Sequence, residues 1–184
     1  MAKRVFVIHC WGGKPNTRWY PWLKRELEKR DFEVSVLAMP DTEHPRMNAW
    51  VKSLSKAVGA PDENCYFVGH SVGCITILRY LETIRKEVGG VIMVAGFTSD
   101  LGFDDLKSFF TKPINWKRIK SNCRGFVAVH SDNDPYVSLH YGKEIFKNKL
   151  GADLVIEHGK GHFSIDNNVV ELPSVLNAVM RLSG

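Results

Sequence analysis

The chain has 184 residues, 44% of them hydrophobic and 24% charged, with a formal net charge of +5. That length and balance fit one domain, residues 1–184, with a substantial core, and exclude the composition of a disordered chain. No stretch approaches the roughly 18 consecutive apolar residues of a membrane span, so no membrane role is expected.

Met1-Ala2-Lys3-Arg4 precedes an apolar run, Val5 to His9, that is too short for a leader peptide and has no small-residue cleavage site after it. The run reads as a first strand buried on both faces, closed by Gly12-Gly13. Tyr20 to Arg30 carries Leu23 and Leu27 at helical spacing. Its basic residues are interleaved with Glu26 and Glu28, which describes a solvated helix face rather than a nucleic-acid surface. Phe32 to Leu37 alternates apolar and polar residues as a strand does, and Asn48 to Val58 places Val51, Leu54 and Val58 on one helix face. Cys65 to Val68 reads as a strand, Ile75 to Glu87 as a helix and Gly90 to Ala95 as another buried strand. Thr98 to Asn115 breaks the rhythm with a long irregular stretch rich in aromatics and acids, and such loops are often functional. Gly125 to His130 and Leu154 to Ile156 complete six strands, with helices expected over Leu139 to Leu150 and Leu172 to Leu182. Strands alternating with helices predict an α/β fold: a six-stranded, mostly parallel sheet covered on both faces, with its functional loops at the carboxyl ends of the strands.

Gly69-His70-Ser71-Val72-Gly73 lies between an expected strand and an expected helix. In that context the pattern is a nucleophile elbow, where a serine sits on a sharp turn and glycines admit close-packed backbone. A serine hydroxyl needs a base, and the base an orienting acid; on this kind of sheet they follow in the order serine, acid, histidine. Asp132 and Asp134 follow the fifth strand, and Asp134 is preferred because it lies deeper in the loop and is stiffened by Pro135. His162, flanked by Gly161 in the loop after the last strand, takes the base position. His70 is expected to point away from the serine oxygen, and His9 to brace the loop after the first strand. His158 and His162 are four residues apart, but Gly159 and Gly161 argue against the helix a metal pair would need, so no metal is expected. The oxyanion hole is assigned to the backbone N–H groups of Val72 and Trp11. Cys10, Cys65, Cys74 and Cys123 lack paired spacing and read as free thiols of a cytoplasmic protein.

These residues resemble the small serine hydrolases of the α/β-hydrolase superfamily, the group similar to retinoblastoma-binding protein nine. The resemblance runs along nearly the whole chain, through Trp19-Tyr20-Pro21-Trp22-Leu23, the elbow, Thr98-Ser99-Asp100-Leu101-Gly102, Phe110-Thr111-Lys112-Pro113, Trp116-Lys117-Arg118-Ile119-Lys120, Asp134-Pro135 and Gly161-His162-Phe163. It implies a compact hydrolase fold with a minimal cap and places Ser71, Asp134 and His162 in the triad. Cys10 stands where many relatives carry glycine beside the oxyanion loop, a departure that bears on the Trp11 assignment. No Leu-x-Cys-x-Glu stretch is present, so a retinoblastoma-type protein partner is not carried over.

The expected activity is hydrolysis of small carboxylic esters, or amides, through an acyl-enzyme on Ser71, with no cofactor. Phe97, Leu101, Phe103, Phe109 and Phe110 either line an acyl pocket or cover the sheet edge as core. The competing reading is a catalytically silent protein-binding module on the same fold; nucleotide binding is set aside for want of a G-x-G-x-x-G or P-loop motif.

Overall fold

The computed structural model describes residues 2–184; Met1, the first residue of the segment considered as a leader, lies outside them. The continuous apolar runs become the inner strands of one six-stranded sheet of order β2-β1-β3-β4-β5-β6, every neighbouring pair parallel. β1 (Lys3–Ile8), β3 (Cys65–His70), β4 (Gly90–Val94) and β5 (Phe126–Ser131) are nearly all buried. The edge strands β2 (Phe32–Leu37) and β6 (Asp153–Glu157) keep exposed or half-buried positions. Helices α1 (Tyr20–Glu28) and α6 (Pro173–Ser183) pack together, whereas α2 (Met47–Val58), α3 (Val72–Leu81), α4 (Trp116–Ser121) and α5 (Lys147–Leu150) form a second contiguous set.

Three boundaries differ from expectation, each for a local reason. α3 starts directly after Ser71 and stops at Leu81, because Asn122 Nδ2 takes the carbonyls of Leu81 and Ile84 at 2.9 and 3.1 Å. The irregular stretch contains a 3-10 helix, Asp104–Phe110, and is followed by α4, whose N-cap Asn115 accepts the Arg118 N–H. The helix expected to begin at Leu139 winds as a π-helix over Tyr141–Phe146 before α5, with Gly142 so close to His130 that a Cβ there would lie 2.7 Å from the ring. The 97–115 segment is tied down by Arg79 of α3. This buried guanidinium donates to the carbonyls of Phe109, Lys112 and Pro113 while Glu82 balances its charge.

The strand order reverses between β1 and β3, so the loops after these two strands flank a crevice at their carboxyl ends. No helix among the described residues is long and apolar enough to cross a membrane.

Candidate active site

Ser71 occupies that crevice in a backbone conformation L-residues rarely adopt, φ 56° and ψ −119°. The turn is held there by packing and hydrogen bonding: the Ser71 N–H donates to Val94 C=O at 2.8 Å. α3 approaches β1 so closely at Gly73 that a Cβ would sit 2.2 Å from the Ile8 carbonyl oxygen.

His162 Nε2 lies 3.0 Å from Ser71 Oγ, and its Nδ1 lies 2.8 Å from Asp134 Oδ2. A carboxylate only accepts, so Nδ1 carries the proton and the Nε2 lone pair faces the serine hydroxyl. The Asp134 side chain is 1% exposed and accepts the Tyr136 and Val137 N–H groups through Oδ1 at 2.9 and 3.0 Å, which fixes its aim. Asp132 faces elsewhere: it accepts from Gly159 N–H at 2.9 Å and meets His158 Nδ1 at 2.6 Å, stapling the two loops together. The two histidines four residues apart therefore serve different aspartates. Among the described residues no group of three or more His, Cys, Asp or Glu side chains is placed to hold a metal.

Sequence reasoning missed the residues that hold His162. Asn167 Oδ1 accepts the His162 N–H at 3.2 Å, and Asn133 Oδ1 accepts the Gly161 N–H at 2.8 Å. The His162 carbonyl accepts from His70 Nε2 at 3.0 Å. With that nitrogen a donor, His70 Nδ1 is an acceptor, and Tyr20 Oη–H donates to it at 2.7 Å; Tyr20 Oη in turn accepts the Cys10 N–H at 3.3 Å. Burial holds the His70 pKa well below the ordinary imidazole value and pushes the Tyr20 hydroxyl well up, so both stay neutral as the network requires. His70 thus points away from Ser71 Oγ, and through Tyr20 it couples the loop after β1 to the loop after β6. Tyr20 belongs to the Trp-Tyr-Pro-Trp stretch that carried the resemblance, but nothing in its spacing discloses the bond.

His9 completes the bracing of the loop after β1. Its Nε2 accepts the Met39 N–H at 3.2 Å, so Nδ1–H donates to the Cys10 carbonyl at 2.8 Å, which also accepts the Gly13 N–H at 3.0 Å. The Cys10 carbonyl and the Trp11 N–H belong to one trans peptide plane and point in opposite directions. Anchoring the carbonyl therefore turns the Trp11 N–H the other way. Neither this N–H nor that of Val72 has a protein acceptor among the described residues, and both residues line the cavity over Ser71.

That cavity measures about 450 Å³. Phe97, Leu101 and Phe103 line it, with Phe103 edge-on to Trp11 at 5.5 Å between ring centroids. Phe109 and Phe110 do not. The Phe109 ring is fully buried against Trp50, its carbonyl held by Arg79, and Phe110 packs on Phe97 at 6.2 Å. Of the five aromatic and aliphatic candidates, three face the cavity and two are packing behind it. All four cysteines are free and buried.

A strained serine at the topological switch of a parallel sheet, in reach of a histidine held by a carboxylate, defines an α/β hydrolase. The family model for serine hydrolases matches residues 5–181, and the chain belongs to that family. It is 32% identical over 182 residues to YdeN of Bacillus subtilis (strain 168), which covers 97% of this chain and 95% of that protein. It is also 32% identical over 166 residues to the serine hydrolase RBBP9 of Rattus norvegicus, covering 88% of this chain and 87% of that one. The crystal structure of the B. subtilis ydeN gene product superposes with a TM-score of 0.92 at 30% identity, covering 98% of each chain.

Proposed function

We propose that the chain cleaves small carboxylic esters, and amides, through an acyl-enzyme formed on Ser71. The observation that carries this is the unbroken line from Asp134 through His162 to Ser71, with bonds of 2.8 and 3.0 Å, opening onto a cavity with two uncommitted N–H groups. His162 takes the serine proton as Oγ attacks the carbonyl, and Asp134 holds the tautomer and stabilises the imidazolium that forms. The N–H groups of Val72 and Trp11 stabilise the tetrahedral oxyanion, each worth on the order of 3 kcal/mol. His162 then protonates the leaving group and activates water for deacylation.

The size of the cavity, about 450 Å³, favours short acyl groups. The test is labelling by a fluorophosphonate probe, with Ser71→Ala and His162→Ala as comparisons. Labelling of the native protein that both variants lose is expected. A folded native protein that resists the probe, or a Ser71→Ala protein that still labels, would overturn the mechanism. Across nitrophenyl esters of increasing chain length, turnover that rises beyond the medium chains would refute the small pocket.

A further inference from the structure

Arg18 is the one basic side chain at the cavity that is not part of the triad, and the fold does not use it. It lines the space over Ser71 together with Trp11, Val72 and His162. Among the described residues its guanidinium makes no ion pair, no side-chain hydrogen bond and no stacking contact with an aromatic ring, whereas the other arginines at buried or half-buried positions, Arg4, Arg79 and Arg118, each donate to protein carbonyls. The positive charge of Arg18 reaches inward: burial chiefly lowers the pKa values of His9 and His70, two rings behind the oxyanion loop and the elbow, and Arg18 adds to the effect. The backbone at Arg18 has φ 59°, an unfavourable conformation for a residue with a long side chain. The one carboxylate lining the cavity, Asp166, sits on the exposed turn Ile165–Asn167 and does not pair with Arg18.

An unpaired guanidinium facing a cavity walled by Phe97, Leu101 and Phe103 lacks its natural complement, a planar anion that two parallel N–H groups can grip. We propose that Arg18 is a substrate-recognition residue, and that the preferred substrates are esters or amides bearing a carboxylate away from the scissile bond. This names a substrate class for the acyl-transfer reading of Ser71 and rests on it. No new bond chemistry is involved: the carboxylate pairs with Arg18 while Ser71 and His162 act on the neutral carbonyl. A charge-assisted pair in a partly desolvated pocket favours the anionic substrate about 10- to 100-fold over its neutral isostere.

Two matched pairs of esters test this, because the carboxylate can sit on either side of the scissile bond. One pair is 4-nitrophenyl hexanoate against mono-4-nitrophenyl adipate, and the other phenyl butyrate against 3-carboxyphenyl butyrate. The ratio of kcat/KM, anionic over neutral, is measured for the native protein, Arg18→Met and Arg18→Lys. Methionine keeps a Cβ and an unbranched stem, so the strained backbone faces the same demand and only the charged head is lost. In at least one pair the native ratio is expected to exceed about ten, to fall near one in Arg18→Met and to recover in part in Arg18→Lys. Ratios that are the same in native protein and Arg18→Met for both pairs would overturn the proposal.

Calorimetric titration of monoethyl adipate into Ser71→Ala, with and without Arg18→Met, reads anion recognition without turnover. Binding that the arginine substitution weakens about tenfold or more supports the assignment, and equal binding rejects it. If the native protein hydrolyses none of the four esters, the acyl-transfer reading fails on its own, and this titration still decides the role of Arg18.

Discussion

Replacing Tyr20 with Phe removes one oxygen and cuts two buried hydrogen bonds, to His70 Nδ1 at 2.7 Å and from Cys10 N–H at 3.3 Å. The ring, fully buried beside Trp19 and His70, loses no apolar packing, so the cost is that of two buried polar groups left without partners. The His70 bond is short and its loss falls in the upper part of the usual range; the Cys10 bond is long and adds less. Together they amount to about 2–3 kcal/mol. For a chain of this size that lowers Tm by about 5–10 °C, read by calorimetry or near-ultraviolet circular dichroism. The same change frees His70, which holds the His162 carbonyl, and releases the Cys10 N–H beside the Trp11 peptide. Both loosen groups that matter once the tetrahedral oxyanion has formed, so kcat is expected to fall about tenfold with KM nearly constant. A Tyr20→Phe protein with lowered Tm but native kcat would refute the positioning argument and leave the tyrosine as core packing. Native values of both would refute the network itself.

Asp134→Asn is expected to lower kcat by about 10³- to 10⁴-fold by leaving His162 in the wrong tautomer, whereas Asp132→Asn lowers it less than about tenfold; steady-state kinetics on one ester decides which aspartate is the acid. Gly73→Ala forces a Cβ to within 2.2 Å of the Ile8 carbonyl oxygen, so insoluble protein or a loss above about 4 kcal/mol in urea unfolding is expected, and near-native stability would contradict the packing of α3 on β1. His130 is 1% exposed with both ring nitrogens unpartnered, and burial, opposed by the nearby Asp134 charge, lowers its pKa to about 4. The unfolded chain therefore binds a proton that the folded one refuses between the ordinary value of 6.5 and about pH 4, and stability falls as pH drops through that window, by about 3 kcal/mol in all. His130→Phe should flatten that part of the stability curve measured by urea unfolding; an unchanged slope would show that His130 titrates normally.

The sheet was legible because strands buried on both faces must be apolar throughout, as Val5 to Ile8, Cys65 to Val68 and Val91 to Val94 are. Chain order along such a sheet then brought Ser71, Asp134 and His162 to one edge. Boundaries were less legible where the deciding partner is distant. Nothing near Leu81 says that Asn122, 41 residues on, will end the helix there. The irregular segment was ambiguous because it does two jobs. Leu101 and Phe103 face the cavity while Phe109 turns inward, and the selector is Arg79 on another element. Tyr20, Asn133 and Arg18 escaped for the same reason: the roles of the first two depend on partners 50 and 28 residues away, and that of Arg18 on having none. Asn167 is only five residues from His162, but nothing in that spacing discloses that its side chain turns back to the His162 N–H.

On the proposed mechanism, the loop after β1 shows why such partners are needed. An N–H that must stay free for a substrate oxygen cannot be fixed by bonding it, so it has to be fixed through the rest of its peptide. Here the Cys10 carbonyl is held by His9 and Gly13, and the Cys10 N–H by Tyr20, which leaves the Trp11 N–H as the uncommitted group of that loop. Both histidines must be neutral to do this. A protonated His9 has no lone pair for the Met39 N–H, and a protonated His70 has none for Tyr20. Burial lowers both pKa values and so keeps each ring an acceptor on one side and a donor on the other. The site then contains two kinds of histidine distinguished by environment. His162 is partly exposed, with a carboxylate on Nδ1 and the serine hydroxyl beside Nε2, while His9 and His70 are sealed among protein partners.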